Sequence, residues 1–104
     1  ETMKVTFDDR ALTDLDGNDL KLAEDKSLTL KGAVSMALTA GLPGDDALEF
    51  GKKVELYKLA KRVKKGGELD IKAEDIVVIK QRVAKQFNAL VAGQVSEAIE
   101  GEDA

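Results

Sequence analysis

The chain contains no cysteine, no histidine and no tryptophan, one proline, and only three Phe and one Tyr among 104 residues. Without cysteine there can be no disulfide, no thiolate metal site and no thiol nucleophile. Without histidine the chain lacks the commonest general base near neutral pH and the commonest ligand for zinc and copper. Carboxylates, Lys and Tyr remain as acid–base candidates, and a Ser-His-Asp hydrolytic site is excluded. With so few rings, Val, Leu, Ile and Ala must fill the core. A chain this short buries only about two-thirds of the surface its unfolded form exposes, so association with another chain is an expected source of extra stability.

No run approaches the ~20 consecutive apolar residues that span a bilayer, and the opening residues lack the basic start and apolar stretch of a secretory signal. These absences lead to the expectation of one cytoplasmic domain over residues 1–104. Glu1-Thr2, ahead of Met3, reads as a remnant of a tag or of processing, and 101–104 as a frayed acidic tail.

The net charge of −4 is unevenly distributed. Residues 1–28 carry eight acids and four bases, and Glu97, Glu100, Glu102 and Asp103 end the chain without a base. Between Gly51 and Lys65 the sign reverses: Lys52, Lys53, Lys58, Lys61, Arg62, Lys64 and Lys65 face one acid, Glu55. Such a cluster can neutralise phosphates, and it also suits the negative end of a helix dipole.

Met3-Lys4-Val5-Thr6-Phe7 alternates apolar and polar residues, the period of a half-buried strand. Leu12–Leu15 and Leu20–Leu22 flank Asp16-Gly17-Asn18, whose Gly and Asn suit a tight turn, and a small hairpin is expected there. Thr29 can cap a first helix to about Ala40, with Leu30, Ala33, Val34, Ala37 and Leu38 on one face and Gly41 closing it. The small residues Gly32, Ala33, Ser35, Ala37 and Ala40 would admit another helix closely. Asp45 or Asp46 is expected to cap a second helix over 46–65, stopped by Gly66-Gly67. Leu69-Asp70-Ile71 reads as an extended piece able to pair with the N-terminal strand. Ile76, Ile79, Val83, Phe87 and Leu90 give the strongest helical period, over 73–87. Asn88 is expected to break it before a last helix carrying Val91, Val95, Ala98 and Ile99 up to Gly101.

The motifs that suggest chemistry have simpler explanations. Asp14–Asp19 resembles the start of a calcium loop, but Asp19 stands where that loop needs Gly and Asp25 where it needs Glu, so an acid-lined turn is the better reading. Gly66-Gly67 lacks the Lys-Ser/Thr pair of a phosphate loop and reads as a helix stop. Asp45-Asp46 and Glu74-Asp75 fit the positive ends of helix dipoles, and adjacent helical residues point apart. No catalytic, cofactor-binding or metal-ligating residue is therefore assigned, and the chain is read as a non-enzyme without cofactors.

The second helix is less simply explained. At about 100° per residue Leu48, Leu56, Leu59 and Val63 gather on one face, the expected core face, while Phe50, Val54 and Tyr57 form a second stripe interleaved with Lys53, Lys61 and Lys64. That stripe can pack on the N-terminal strands, form a protein interface, or stack on bases among the lysines. Gly93 within the last helix suggests close helix contact or a break, and Gln94 could hydrogen-bond across an interface.

Leu28-Thr29-Leu30 leading to Ala37-Leu38, Tyr57-Lys58-Leu59-Ala60, Ala73-Glu74-Asp75-Ile76 with Ile79-Lys80, Val91-Ala92-Gly93-Gln94-Val95 and the Leu15-Asp16-Gly17 turn resemble a group of small uncharacterised proteins encoded by tailed bacteriophages and prophages. The resemblance spans most of the chain and departs at Lys72, where a Ser or Thr cap would be usual. It implies a product acting in the host bacterial cytoplasm, in particle assembly or on a host protein. It assigns no functional residue.

The expected fold is α+β, mostly helical, with a small N-terminal hairpin or sheet on about four helices. The expected function is a non-catalytic, self-associating interaction or assembly protein, with Phe50, Val54, Tyr57 and Gln94 as candidate interface. The alternative is nucleic-acid binding through Lys52, Lys53, Lys58, Lys61, Arg62, Lys64 and Lys65.

Overall fold

The computed structural model describes residues 2–100 and shows an α+β, mostly helical fold. Strand β1 (Thr2–Phe7) leads through an irregular segment containing β2 (Lys21–Ala23) and β3 (Lys26–Ser27) to α1 (Leu30–Thr39). A short 3-10 turn (Asp45–Ala47) precedes α2 (Phe50–Lys65), and then follow β4 (Gly67–Lys72), α3 (Ala73–Gln86) and α4 (Ala89–Glu100).

β1 and β4 pair antiparallel, with Val5 opposite Leu69 and Met3 opposite Ile71. Residues opposite one another share a face, so Val5, Phe7 and Ile71 enter the core together while Lys4, Thr6, Glu68 and Asp70 stay outside. The pairing of 69–71 with the first strand is as the alternation suggests. Thr2, read as a remnant, is the first residue of β1 and stands opposite Lys72. The chain enters β4 at Gly66, which has φ 80° and closes α2 by donating its amide to Val63 O at 2.9 Å. A Cβ there would lie 3.0 Å from Phe7 O, so both conformation and space require glycine.

The expected hairpin at Asp16-Gly17-Asn18 is present in short form, with the antiparallel bridge Thr13–Asp19 and Asp14 N donating to Asn18 O at 2.9 Å, and it is closed into a larger ring. Leu12 N donates to Leu28 O, Leu20 N to Leu12 O, and Leu28 N to Leu20 O, at 2.7–2.8 Å. Three leucines spaced eight residues apart thus satisfy one another's backbone in a ring. Leu12 and Leu28 are buried and Leu20 packs against the core. Beyond the Gly17 turn a further short ladder forms between β2 and β3. Sequence alternation does not reveal this because the ring uses one residue of each pass rather than a run of them.

α1 is the centre of the helical layer and packs on α2, α3 and α4. Thr29 Oγ1 accepts from Gly32 N at 3.0 Å, the expected cap, and Leu30, Ala33, Val34, Ala37 and Leu38 are buried. The alanines keep this face shallow enough for neighbouring helices to come close. α3 buries Ile76, Ile79 and Val83 along its period and begins at Ala73 without a side-chain cap from Lys72. Phe87 ends that helix half-buried, and Asn88 Oδ1 accepts from Val91 N at 3.3 Å to start α4. α4 buries Val91, Val95 and Ile99 against α3 and β1. The expected stop at Gly101 and the tail 101–104 lie outside the described residues.

α2 begins four residues later than expected. Glu49 is its N-cap position and makes no side-chain cap bond, while Leu48 and Glu49 are extended, with ψ 137° and 155°. Asp45 does not cap α2 because its carboxylate is held elsewhere, by Leu42 N and by Arg82.

Candidate interaction surface

The inner side of α2 is set by Leu59, Ala60 and Val63, all buried, with Leu56 half-buried beside them and Leu48 half-buried in the preceding turn. Phe50, Val54 and Tyr57 follow one another at spacings of four and three and lie on the far side of the helix. Phe50 is 83% exposed and Tyr57 57%. Val54 between them is half-buried, and α2 packs on α1 and β4, so Phe50 and Tyr57 do not pack on the N-terminal strands as one reading expected. The physical reason is angular: the inner face of α2 is already occupied by Leu59, Ala60 and Val63, and the stripe points more than a quarter-turn away from it.

All seven basic residues from Lys52 to Lys65 are exposed. Lys61 Nζ sits 5.3 Å from the centroid of the Tyr57 ring, within cation–π range. Arg62 donates to Asp70 O at 2.9 Å, tying α2 to β4, and Lys52 pairs with Glu55 at 3.5 Å. Lys53, Lys61 and Lys64 remain beside the stripe, with Lys58 and Lys65 along its other margin.

Two open grooves border α2. One, of about 520 Å³, lies against the end of α1 and is lined by Leu38, Leu42, Leu48, Leu56, Tyr57 and Lys53, among others. The other, of about 760 Å³, separates α2 from α3, with Leu56, Leu59 and Val78 in its apolar lining and Lys58, Arg62 and Lys85 among its charges. Both exist because α2 and α3 each pack on α1, with the 42–48 turn set at one end between them.

That turn is fixed by a contact that pattern reading missed. Arg82 of α3 is only 8% exposed; its Nε donates to Ala37 O at 2.7 Å and its Nη2 to Ala40 O at 2.8 Å. Its terminal nitrogens also donate to both carboxylate oxygens of Asp45 at 2.9 Å. The Arg82 guanidinium holds the Asp45 carboxyl down at about 2, with the Leu42 amide helping and burial opposing. One signal existed: Arg82 adjoins Val83 and lies three residues beyond Ile79, a charge on the margin of the strongest apolar stripe.

The Gln94 amide is engaged within the chain. Its Oε1 accepts from Thr13 N at 2.9 Å and its Nε2 donates to Thr13 O at 2.6 Å and Leu90 O at 2.9 Å. The amide is spent on pairing with the backbone of the irregular segment, as another strand would be. Gly93 is also corrected: it is exposed, α4 runs through it unbroken, and nothing lies within 4 Å of where a Cβ would stand.

The acid-lined turn is closed by its own side chain. Asp14 Oδ1 accepts from Asp16 N at 2.9 Å and Asn18 N at 3.0 Å, with Gly17 at φ 88°. Leu15 at its tip is 92% exposed, a feature that sequence reading passed over. Among the described residues no helix is long and apolar enough to cross a membrane.

Comparison with family models, curated proteins and solved structures returns no match to this chain.

Proposed function

We propose that this chain is a non-catalytic interaction and assembly protein, engaging protein partners, other copies of itself foremost, through the solvent side of α2. One observation carries the reading. Two of the chain's four aromatic side chains, Phe50 and Tyr57, stand in solvent on one stripe, about 11 Å apart along the helix, while only Phe7 is fully buried and Phe87 packs against the core's edge. Large exposed rings have the composition of interface centres, where aromatic anchors carry most of the binding energy, and the lysines around them suit its polar rim. The resemblance to phage-encoded proteins suits such a role, in particle assembly or on a host protein in the bacterial cytoplasm.

The test uses substitutions that spare the fold. Phe50→Ser and Tyr57→Ser remove exposed side chains and are expected to change stability by less than about 0.5 kcal/mol. Combined, they are expected to abolish concentration-dependent mass in light scattering and capture of partners by the immobilised protein. Wild-type behaviour in both measurements would sink the reading.

A second reading rests on the exposure of all seven bases with Tyr57 and Phe50 between them, an arrangement suited to single-stranded nucleic acid. It requires binding that falls steeply with salt and is lost on charge reversal at Lys61, Arg62 and Lys64. Undetectable binding of single- and double-stranded probes at low salt would eliminate it.

A further inference from the structure

We infer that the α2 stripe receives the Asp14–Asn18 turn of a second copy, so that copies join head to tail. This rests on the assignment of the α2 stripe as a protein-binding surface and specifies what fills it.

Charge decides first which partner is unsuitable. If α2 met α2 about a two-fold axis, Lys53, Lys58, Lys61, Lys64 and Lys65 would face the same five lysines, and like charges brought together oppose association. The complement must therefore be acidic, with an apolar group to cover the rings. This chain carries such an element. Outside residues 51–65 it has nineteen acids and nine bases, since that segment holds seven of the sixteen bases and one of the twenty acids. Within the acidic part, Leu15 projects 92% exposed between Asp14 and Asp16.

The turn is also built to hold a fixed shape. Asp14 N donates to Asn18 O at 2.9 Å, Gly17 N to Asp14 O at 3.1 Å, and the Asp14 carboxylate takes two further amides. The base is gripped by Gln94 through Thr13. Conformational freedom that a loop would otherwise lose on binding is already given up on folding, so the Leu15 knob binds at low entropic cost. Its natural seat is the apolar part of the groove of about 520 Å³ beside Tyr57, formed by Leu38, Leu42, Leu48 and Leu56. Of the acids on the groove's rim, Asp45 is paired with Arg82 and Asp46 opposes an acidic guest, so the attraction comes from the Lys53 side. A Leu15 seated there would bring Asp16 toward the Lys53, Lys61 and Lys64 side of the stripe.

Geometry requires the two halves to come from different copies. The turn is anchored on α4, which packs on α3, α1 and β1, whereas α2 packs on α1 and β4. Leu15 and Phe50 both stand in solvent within one chain. A contact between unlike surfaces uses each once per copy and propagates into a ring or an open filament.

The test is light scattering behind size-exclusion chromatography on wild type, Leu15→Lys, Tyr57→Glu and an equimolar mixture of the two variants, with circular dichroism confirming that each is folded. Wild type is expected to gain mass with concentration at about 0.05 M salt and to lose it at about 0.5 M. Each variant alone is expected to associate at least tenfold more weakly, and the mixture to form a one-to-one dimer that goes no further, because only one good surface remains on each. A Leu15→Lys variant that assembles like wild type overturns the inference; if Tyr57→Glu alone then fails to assemble, the α2 surface stands and its mate is elsewhere. Wild type that stays monomeric at about 1 mM also overturns head-to-tail joining, without touching capture of a different partner by α2.

Discussion

Arg82 and Asp45, 37 residues apart in sequence, form a two-pronged ion pair at 2.9 Å, and the same guanidinium holds the last carbonyls of α1. One side chain therefore ties α3, the end of α1 and the turn before α2. Each of its contacts satisfies a donor that would otherwise be buried alone.

Removing Arg82 should be among the costlier single changes. Arg82→Ala strands the carbonyls of Ala37 and Ala40 and leaves Asp45 unpaired, and a loss of about 3 kcal/mol is expected in urea unfolding. Arg82→Lys should recover less than half of this, because an ammonium cannot reproduce the planar fork. The cycle with Asp45→Asn should show coupling above about 1 kcal/mol.

The same pair predicts an acid limb. The folded-state carboxyl of Asp45 lies at about 2, below its ordinary 3.8, so its contribution is complete above the ordinary value and is lost as pH falls through the folded one. Asp8, lowered by hydrogen bonding to Arg10, adds in the same direction. Stability should fall between about pH 4 and pH 2, and the slope should be shallower in Asp45→Asn. An unchanged slope in that variant would refute the assignment.

Gln94 should matter to the fold more than to association. Gln94→Ala frees Thr13 N and O, and a loss of about 1–2 kcal/mol is expected, with faster amide exchange at Thr13. Gln94→Glu should be no better, since a carboxylate cannot donate to Thr13 O. In light scattering at matched folded concentration, association should weaken only as far as the Leu15 turn loses its fixed shape, and less than in Leu15→Lys.

Gly93 offers a gain. It lies exposed in a continuous helix with open space where a Cβ would go, so Gly93→Ala should stabilise by about 0.5–1 kcal/mol in thermal unfolding. A loss would mean that the position is in contact with something outside this chain.

Period and punctuation made the elements legible. The alternation of Met3–Phe7, the cap at Thr29, the stop at Gly66 and the stripe of Ile76, Ile79 and Val83 are local signals, and each element stands where these signals put it. The doubled patterning of α2 was visible for the same reason, since it depends only on spacing. The Leu56, Leu59 and Val63 face meets the core as its spacing suggests; whether the Phe50–Tyr57 stripe would also be covered was not legible, because that depends on where α1 and β4 supply apolar surface.

The unforeseen surroundings of three residues have a common cause. Asp45 has the chemistry of a cap, Gln94 of an interface residue and Gly93 of a close contact, and each reading assumed a neighbour along the chain or outside it. Their actual surroundings are Arg82, Thr13 and solvent, two of them set by long-range packing. Composition and local spacing determined that this would be a small, aliphatic-cored, mostly helical chain with a basic helix between acidic ends. Tertiary structure alone decided that Phe50, Tyr57 and Leu15 stay in solvent while Arg82 is enclosed, because burial depends on the order in which helices and strands claim one another's surfaces, and no local pattern contains that order.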